Sequence, residues 1–206
     1  MNFFGNCLPS NYLGIDRPVG VDEAGRGSLA GPVVVACVLL KPSFTDIRIK
    51  DSKKLSAKLR SELYDLIIHN ALAWTIRMCG PRRIEQVNIL RATLQTMASA
   101  MRQLHSFFTE ARSPKTYLID GPYGANAGLY NVDEIPVING DNLHEEIAAA
   151  SILAKVTRDK IMVLCAEKYP IFKFDKHFGY GTALHRTKLL AYPATPIHRK
   201  TFNGVK

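Results

Sequence analysis

The chain has 206 residues, 47% hydrophobic and 22% charged, with 27 Lys and Arg against 18 Asp and Glu for a net charge of +9. That length suits one domain with a sizeable core, and the mean hydropathy near zero places the chain in the soluble globular class. The basic surplus favours an anionic partner, of which a phosphate backbone is the commonest, over a merely basic surface. No run of about 18 apolar residues occurs and no basic region precedes a long apolar one, so the sequence predicts a cytoplasmic protein without a membrane span. Cys7, Cys37, Cys79 and Cys165 lack zinc-finger spacing and read as reduced packing residues.

In chain order, residues 1–17 read as an irregular lead carrying Gly5, Pro9 and Gly14. A strand then ends near Asp22, and the valine-rich run from Pro32 to Leu40 fits a buried strand. Leu59, Leu63 and Ile67 recur every four residues behind Ser56, as in a capped amphipathic helix. Ala71 to Met78 reads as a third strand. Val87, Leu90, Leu94, Met97 and Met101 then recur at three and four, predicting one helix from Ile84 to about Leu104. Thr116 to Asp120 and Val132 to Ile138 are strands around a glycine-rich loop at Gly121 to Gly128. Glu145 to Tyr169 is a long helix whose opening carboxylates suit the positive end of its dipole, and a small helix follows from Thr182 to Tyr192. This order describes a single α/β domain over residues 1–206, a mixed central β-sheet flanked by helices with a small C-terminal helical segment.

The chemistry concentrates in Asp22-Glu23-Ala24-Gly25-Arg26-Gly27, where an apolar strand ends in two carboxylates. Adjacent strand residues point to opposite faces, so both reach one site only if the chain bends there, which Gly25 and Gly27 allow. Asp120 and Asp141 also follow apolar runs. Four carboxylates converging at strand ends would make a hard-cation site suited to Mg²⁺ or Mn²⁺; the bland alternative is an exposed acidic strand end. Gly25-x-Gly27-x-x-x-Gly31 is one residue too long for a dinucleotide loop and leads into a strand, and no Gly-Lys-Ser/Thr follows to make a Walker loop. Lys53 and Lys54 suit either a solvated turn or phosphate contacts. Lys155 and Arg158, three apart, share a helix face near Ser151, although Arg158 has an ion-pair candidate in Asp159. His177, His185 and His198 read as satisfied structural histidines.

Taken together, Asp22 to Gly27, Ala30 to Val34, Asp51-Ser52-Lys53-Lys54-Leu55, Ile119-Asp120-Gly121-Pro122, Gly140-Asp141, Ala148 to Asp159, Gly179-Tyr180-Gly181-Thr182 and His198-Arg199 resemble bacterial ribonuclease HII, of the type 2 ribonuclease H family, over roughly residues 18 to 202. The resemblance implies an RNase H-like fold and a metal-dependent endonuclease that hydrolyses the RNA strand of RNA–DNA hybrids. It further implies cleavage 5′ of ribonucleotides embedded in duplex DNA, leaving 3′-hydroxyl and 5′-phosphate ends, in ribonucleotide excision and RNA primer removal. Asp22, Glu23, Asp120 and Asp141 would be the ligands of two divalent ions, Mn²⁺ or Mg²⁺. The Gly25-Arg26-Gly27 main chain would sense the 2′-hydroxyl, the group that distinguishes RNA from DNA at a single position. Tyr180, exposed between two glycines, would stack on the next sugar, while Lys53, Lys54, Ser151, Lys155 and Arg158 would contact substrate.

Three positions depart from the family pattern: Leu143 and Phe178 stand where lysines are common, and Gln86-Val87 replaces Ile-Asp. Each weakens at most a phosphate or surface contact. A type III enzyme would need a sizeable N-terminal domain, which the residues before Pro18 are too few to encode. A non-catalytic nucleic-acid-binding protein is the rival from another class, and it predicts dispensable carboxylates. The expected state is a monomer, and no C-terminal peptide supports docking on a replication clamp.

Overall fold

The computed structural model describes residues 3–6, 17–49 and 55–205. Its frame is a six-stranded sheet in the order Phe3–Asn6 (β1), Ala71–Cys79 (β4), Val33–Leu40 (β3), Val19–Ala24 (β2), Thr116–Asp120 (β5) and Asp133–Val137 (β6). β3 (Val33–Leu40) has every side chain buried, as its continuous apolar run requires of a strand covered on both faces. Successive residues of β3 alternate between two cores. Val34, Ala36, Val38 and Leu40 pack with α1 (Ala57–Asn70) and α5 (Glu145–Lys168), while Val35, Cys37 and Leu39 pack with α3 (Ile89–His105) on the opposite face. The result is a three-layer α/β/α arrangement.

β2 (Val19–Ala24) lies antiparallel to β3 and parallel to β5 (Thr116–Asp120), which is parallel in turn to β6 (Asp133–Val137). Val21 therefore stands beside Ile119, and the next residues, Asp22 and Asp120, leave neighbouring strands at the same edge. Helix α5 crosses β2 at close range, because its buried Ala148-Ala149-Ala150 stretch carries little bulk. At Gly20 a Cβ would lie only 2.0 Å from the Glu146 carbonyl group. Arg17 ties down the start of this helix, its guanidinium meeting Glu145 at 2.6 Å and Glu146 at 2.7 Å. The glutamate pair expected to favour the helix dipole is thus also held by a partly buried ion pair.

Two expectations need correction. Phe3–Asn6 is not part of an irregular lead but forms β1, an edge strand antiparallel to β4 (Ala71–Cys79). The single helix expected from Ile84 is two, α2 (Pro81–Val87) and α3, broken at Asn88. Asn88 adopts φ 66° and turns its side chain to accept the Arg91 N–H at 3.0 Å, capping α3. α4 (Gly140–Leu143) and α6 (Phe174–His177) are single turns, and α7 (Ala183–Ala191) is the expected small C-terminal helix, started by Thr182. It packs its Leu189 with Leu29, Phe172 and Phe174 in a cluster beside the sheet. Among the described residues no helix is long and apolar enough to cross a membrane. Cys37, Cys79 and Cys165 are free thiols, and Cys7 lies outside the described residues.

Candidate active site

The paired carboxylates lie inside the strand, two residues and one residue before its end. β2 continues to Ala24, and Gly25 then bends the chain at φ +98°. Side-chain bulk is impossible there, since a Cβ would sit 2.0 Å from Nε of Arg158. Asp22 is buried beneath α5, where the pKa-lowering contacts are the Ser151 hydroxyl and the Glu23 N–H, which donates to Oδ1 at 2.6 Å. Burial first, then the charges of Glu23 and Asp120, hold the Asp22 carboxyl well above the ordinary carboxylate range.

Asp120 ends β5, and its Oδ1 accepts the Gly140 N–H at 2.8 Å. The parallel pairing of β5 with β6 sets this up: Val137 lies opposite Asp120, and two residues later the chain turns through Asn139 at φ 55° into α4. Asp141 follows Gly140 directly and is buried, accepting the Asn142 amide at 3.0 Å.

Asp22, Glu23 and Asp120 line one cavity of about 200 Å³ together with Ala24, Gly25, Ser151, Lys155 and Tyr180. Asp141 lines a neighbouring cavity of about 220 Å³, walled by Thr45 to Ile47, Ile49 and Asn142 to Glu145. Among the described residues no three His, Cys, Asp or Glu side chains form a preassembled metal cage. Glu23 and Asp120 both oppose ionisation of Asp22. A donor set of oxygens alone, crowded and anionic, is nevertheless what a hard divalent cation relieves, so these residues fit Mg²⁺ or Mn²⁺.

The other sequence-predicted residues differ in exposure. Arg26 and Gly27 are exposed; the Arg26 guanidinium lies 3.4 Å from Glu23, and a Cβ on Gly27 would meet open space. Tyr180 is half-buried rather than fully presented, its ring facing Lys155 Nζ at 5.5 Å and the Arg158 guanidinium at 5.2 Å. Lys155 pairs with Asp159 at 2.8 Å, the partner the sequence offered to Arg158. Lys53 and Lys54 lie outside the described residues.

Arg158 corrects the sequence reading most. Expected at the substrate, it is fully buried and donates to the carbonyls of Pro32 (3.0 Å) and Ala30 (3.1 Å). Arg199 is buried beside it and was noted in the sequence only as part of a motif. Its three nitrogens donate to the Gly31, Arg26 and Gly25 carbonyls at 3.0, 2.8 and 2.8 Å. Burial, with Arg158 nearby, pushes the Arg199 pKa down to about 9. Sequence offers little signal for this role, because the acceptors are main-chain oxygens that any residue supplies. The one hint is an arginine in a short proline-bounded tail.

A mixed sheet with carboxylates at adjacent strand edges, covered by helices on both faces, is an RNase H-like fold. The match to solved structures agrees: ribonuclease H2 from Pyrococcus horikoshii OT3 superposes with a TM-score of 0.76 at 26% identity, covering 90% of this chain and 93% of that one. The family model for ribonuclease HII matches residues 19–205, and the chain belongs to that family. Relatives named ribonuclease HII include those of Pediococcus pentosaceus, 44% identical over 93% of this chain and 71% of that protein, and Endomicrobium trichonymphae, 42% identical over 95% and 94%. Membership implies ribonuclease H activity on RNA–DNA hybrids, so the chain is a nuclease of the hydrolase class.

Proposed function

We propose that this chain, as one catalytic domain, is a two-metal-ion endoribonuclease that cuts the RNA strand of hybrids and the 5′ side of ribonucleotides embedded in duplex DNA. The supporting observation is the gathering of Asp22, Glu23 and Asp120 around one small cavity that also reaches Gly25 and Tyr180. Asp22, Glu23, Asp120 and Asp141 would hold the ions, with Asp22 between the others. Bound Mg²⁺ or Mn²⁺ would supply a water acidic enough to ionise near neutral pH and positive charge at the leaving oxygen. The products would be a 3′-hydroxyl and a 5′-phosphate, the ends needed in ribonucleotide excision and primer removal.

The chain's own residues do the orienting. Ser151 donates its hydroxyl to Asp22 and so fixes the buried carboxylate, and from the same cavity wall it would also meet the substrate. The open space over Gly27 allows main chain to approach a ribose, and Gly25 to Gly27 would read its 2′-hydroxyl there. Tyr180, on the same cavity wall, would lie against the following sugar and disfavour a second ribose. Arg26, Lys53 and Lys54 would hold phosphates without reading sequence, and Lys155, paired with Asp159, would add a weaker contact on the cavity wall. No serine, cysteine or histidine nucleophile is needed.

The deciding experiment compares cleavage of a duplex carrying one ribonucleotide with a continuous hybrid, titrating Mg²⁺ and Mn²⁺ in turn. The expected result is metal-dependent cutting of both duplexes that disappears with Asp120→Asn while binding persists. Cutting by Asp120→Asn at saturating metal, or cutting in excess chelator, would overturn the two-metal reading.

A further inference from the structure

Residues 28–31 run between two other segments like the middle strand of a narrow ribbon. On one side Ser28 bridges Tyr180, and the Leu29 N–H donates to the Gly179 carbonyl at 2.8 Å. On the other Ala30 bridges His198, the Gly31 N–H donates to Ile197 and the Arg199 N–H to Leu29, each at 2.8 Å. In such extended backbone successive side chains diverge. His198 goes toward the Tyr180 loop, and Arg199 goes toward the glycine loop.

The His198 arm is a defined chain of donors. The Thr195 N–H donates to His198 Nδ1 at 2.9 Å, and the Thr195 hydroxyl lies 2.8 Å from the same nitrogen. A neutral His198 therefore carries its proton on Nε2, which donates to His185 Nε2 at 3.0 Å. That leaves the His185 proton on Nδ1, donating to the Tyr180 carbonyl at 3.0 Å. His177 stacks on His185 with centroids 4.4 Å apart, donates to the Phe172 carbonyl at 2.8 Å and accepts the Gly179 N–H at 3.2 Å. Phe172 and Phe174 close the cluster edge-on, and the nearest charges are Asp175 beside His177 and Arg186 beside His185. Burial lowers all three histidine pKa values, which keeps the rings neutral and their proton positions fixed.

We propose that His198 and Arg199 are a two-armed clamp that sets the spacing of the two ribose-facing elements, His198 holding Tyr180 through His185 and Arg199 holding the glycine loop through the Gly25 and Arg26 carbonyls. Both are positioning residues. The proposal rests on the reading that Tyr180 and the glycine loop select the ribonucleotide junction. An error of about 1 Å in either element is enough to spoil selection.

The test reads the ratio of single-turnover rates on the embedded-ribonucleotide duplex and on the continuous hybrid, with thermal denaturation as a check on folding. His198→Leu, which removes the Nε2 donor, should lower that ratio about tenfold. His198→Gln, which can place an amide N–H where Nε2 was, should restore much of it. In a Tyr180→Ala background His198→Leu should change the ratio no further, because the group it positions is gone. Arg199→Lys, whose single ammonium cannot serve three carbonyls, should lower the ratio in both backgrounds. If His198→Leu proves unfolded, Thr195→Val probes the same arm and should lower the ratio about two- to threefold.

A folded His198→Leu with an unchanged ratio, while Tyr180→Ala lowers it, would overturn the His198 arm and leave the junction reading standing. A further drop in the Tyr180→Ala background would make His198 a general packing residue. An unchanged ratio in Tyr180→Ala itself would sink the Tyr180 reading and the His198 arm together, with Arg199→Lys still deciding the other arm. An unchanged ratio in Arg199→Lys would overturn that arm.

Discussion

The molecule buries charge of opposite sign on either side of the Gly25 bend and treats the two very differently. Arg199 is completely enclosed, yet each of its nitrogens meets a main-chain carbonyl; Arg158 is served the same way at two of its nitrogens. Asp22 is enclosed too, but its surroundings include Glu23 and Asp120, whose charges oppose its own. Arg199 is satisfied from within, Arg158 at Nε and Nη2 though not at Nη1, and both hold loops in place. The carboxylates are left in a state that an external cation improves, which is how a folded chain reserves a place for chemistry at a cost in its own stability.

Replacing charge on the acidic side should therefore separate activity from stability. Asp22→Asn and Asp120→Asn should lose cleavage by on the order of 10³-fold or more, as removing preorganised charge at a reacting centre does. Asp22→Asn should at the same time melt a few degrees higher than the parent in chelator, because it deletes a buried charge facing two others. Near-normal turnover, or a lower melting point with retained turnover, would break the contrast.

The basic side should respond in the opposite sense. Arg199→Met leaves three main-chain carbonyls without their donor and should cost about 2–4 kcal/mol of stability, the penalty for stranding buried acceptors. Chemical denaturation measures it directly. A loss below about 0.5 kcal/mol, the range of ordinary surface changes, would mean that water serves those carbonyls equally well.

This asymmetry also explains what could be read in the sequence. Strand β3 and helix α5 were legible because an unbroken valine run and a long alanine-centred helix state their own burial. Asp22, Glu23 and Asp120 were legible because charge at the end of an apolar strand is conspicuous. The break at Asn88 was not, since Val87, Leu90 and Leu94 keep helical spacing across it and only the backbone conformation changes. β1 was missed because four residues gain their strand identity from pairing with β4, far along the chain. Buried Arg158 and Arg199 were hidden for the reason given by their partners: carbonyl oxygens leave no mark in sequence.

Acid should distinguish the histidine cluster from the rest of the fold. Unfolded histidines titrate near 6.5, whereas burial and the neighbouring His185 push His198 down to about 4, and burial also lowers His177 and His185. Between those values the unfolded chain binds protons that the folded chain refuses. Stability from this cluster is thus fully present above about pH 6.5 and declines as pH falls toward 4. Melting curves over that window should slope less steeply for His198→Leu than for the parent, and parallel slopes would show that the ring is already protonated in the fold.

The smallest expected effect concerns which surplus charges meet the substrate. A chain of net charge +9 that contacts several phosphates should bind more weakly as salt rises, because counterions are released on binding. Lys155 already has Asp159 at 2.8 Å and lies over the Phe178 and Tyr180 rings, so much of its charge is compensated within the protein. Lys53, in the Asp51-Ser52-Lys53-Lys54 motif, is the residue proposed above to meet a phosphate. Lys53→Ala should flatten the slope of log affinity against log salt by about one unit, and Lys155→Ala by clearly less. Equal changes would place Lys155 on the phosphate backbone despite Asp159, and an unchanged slope in Lys53→Ala would return that lysine to an ordinary solvated turn.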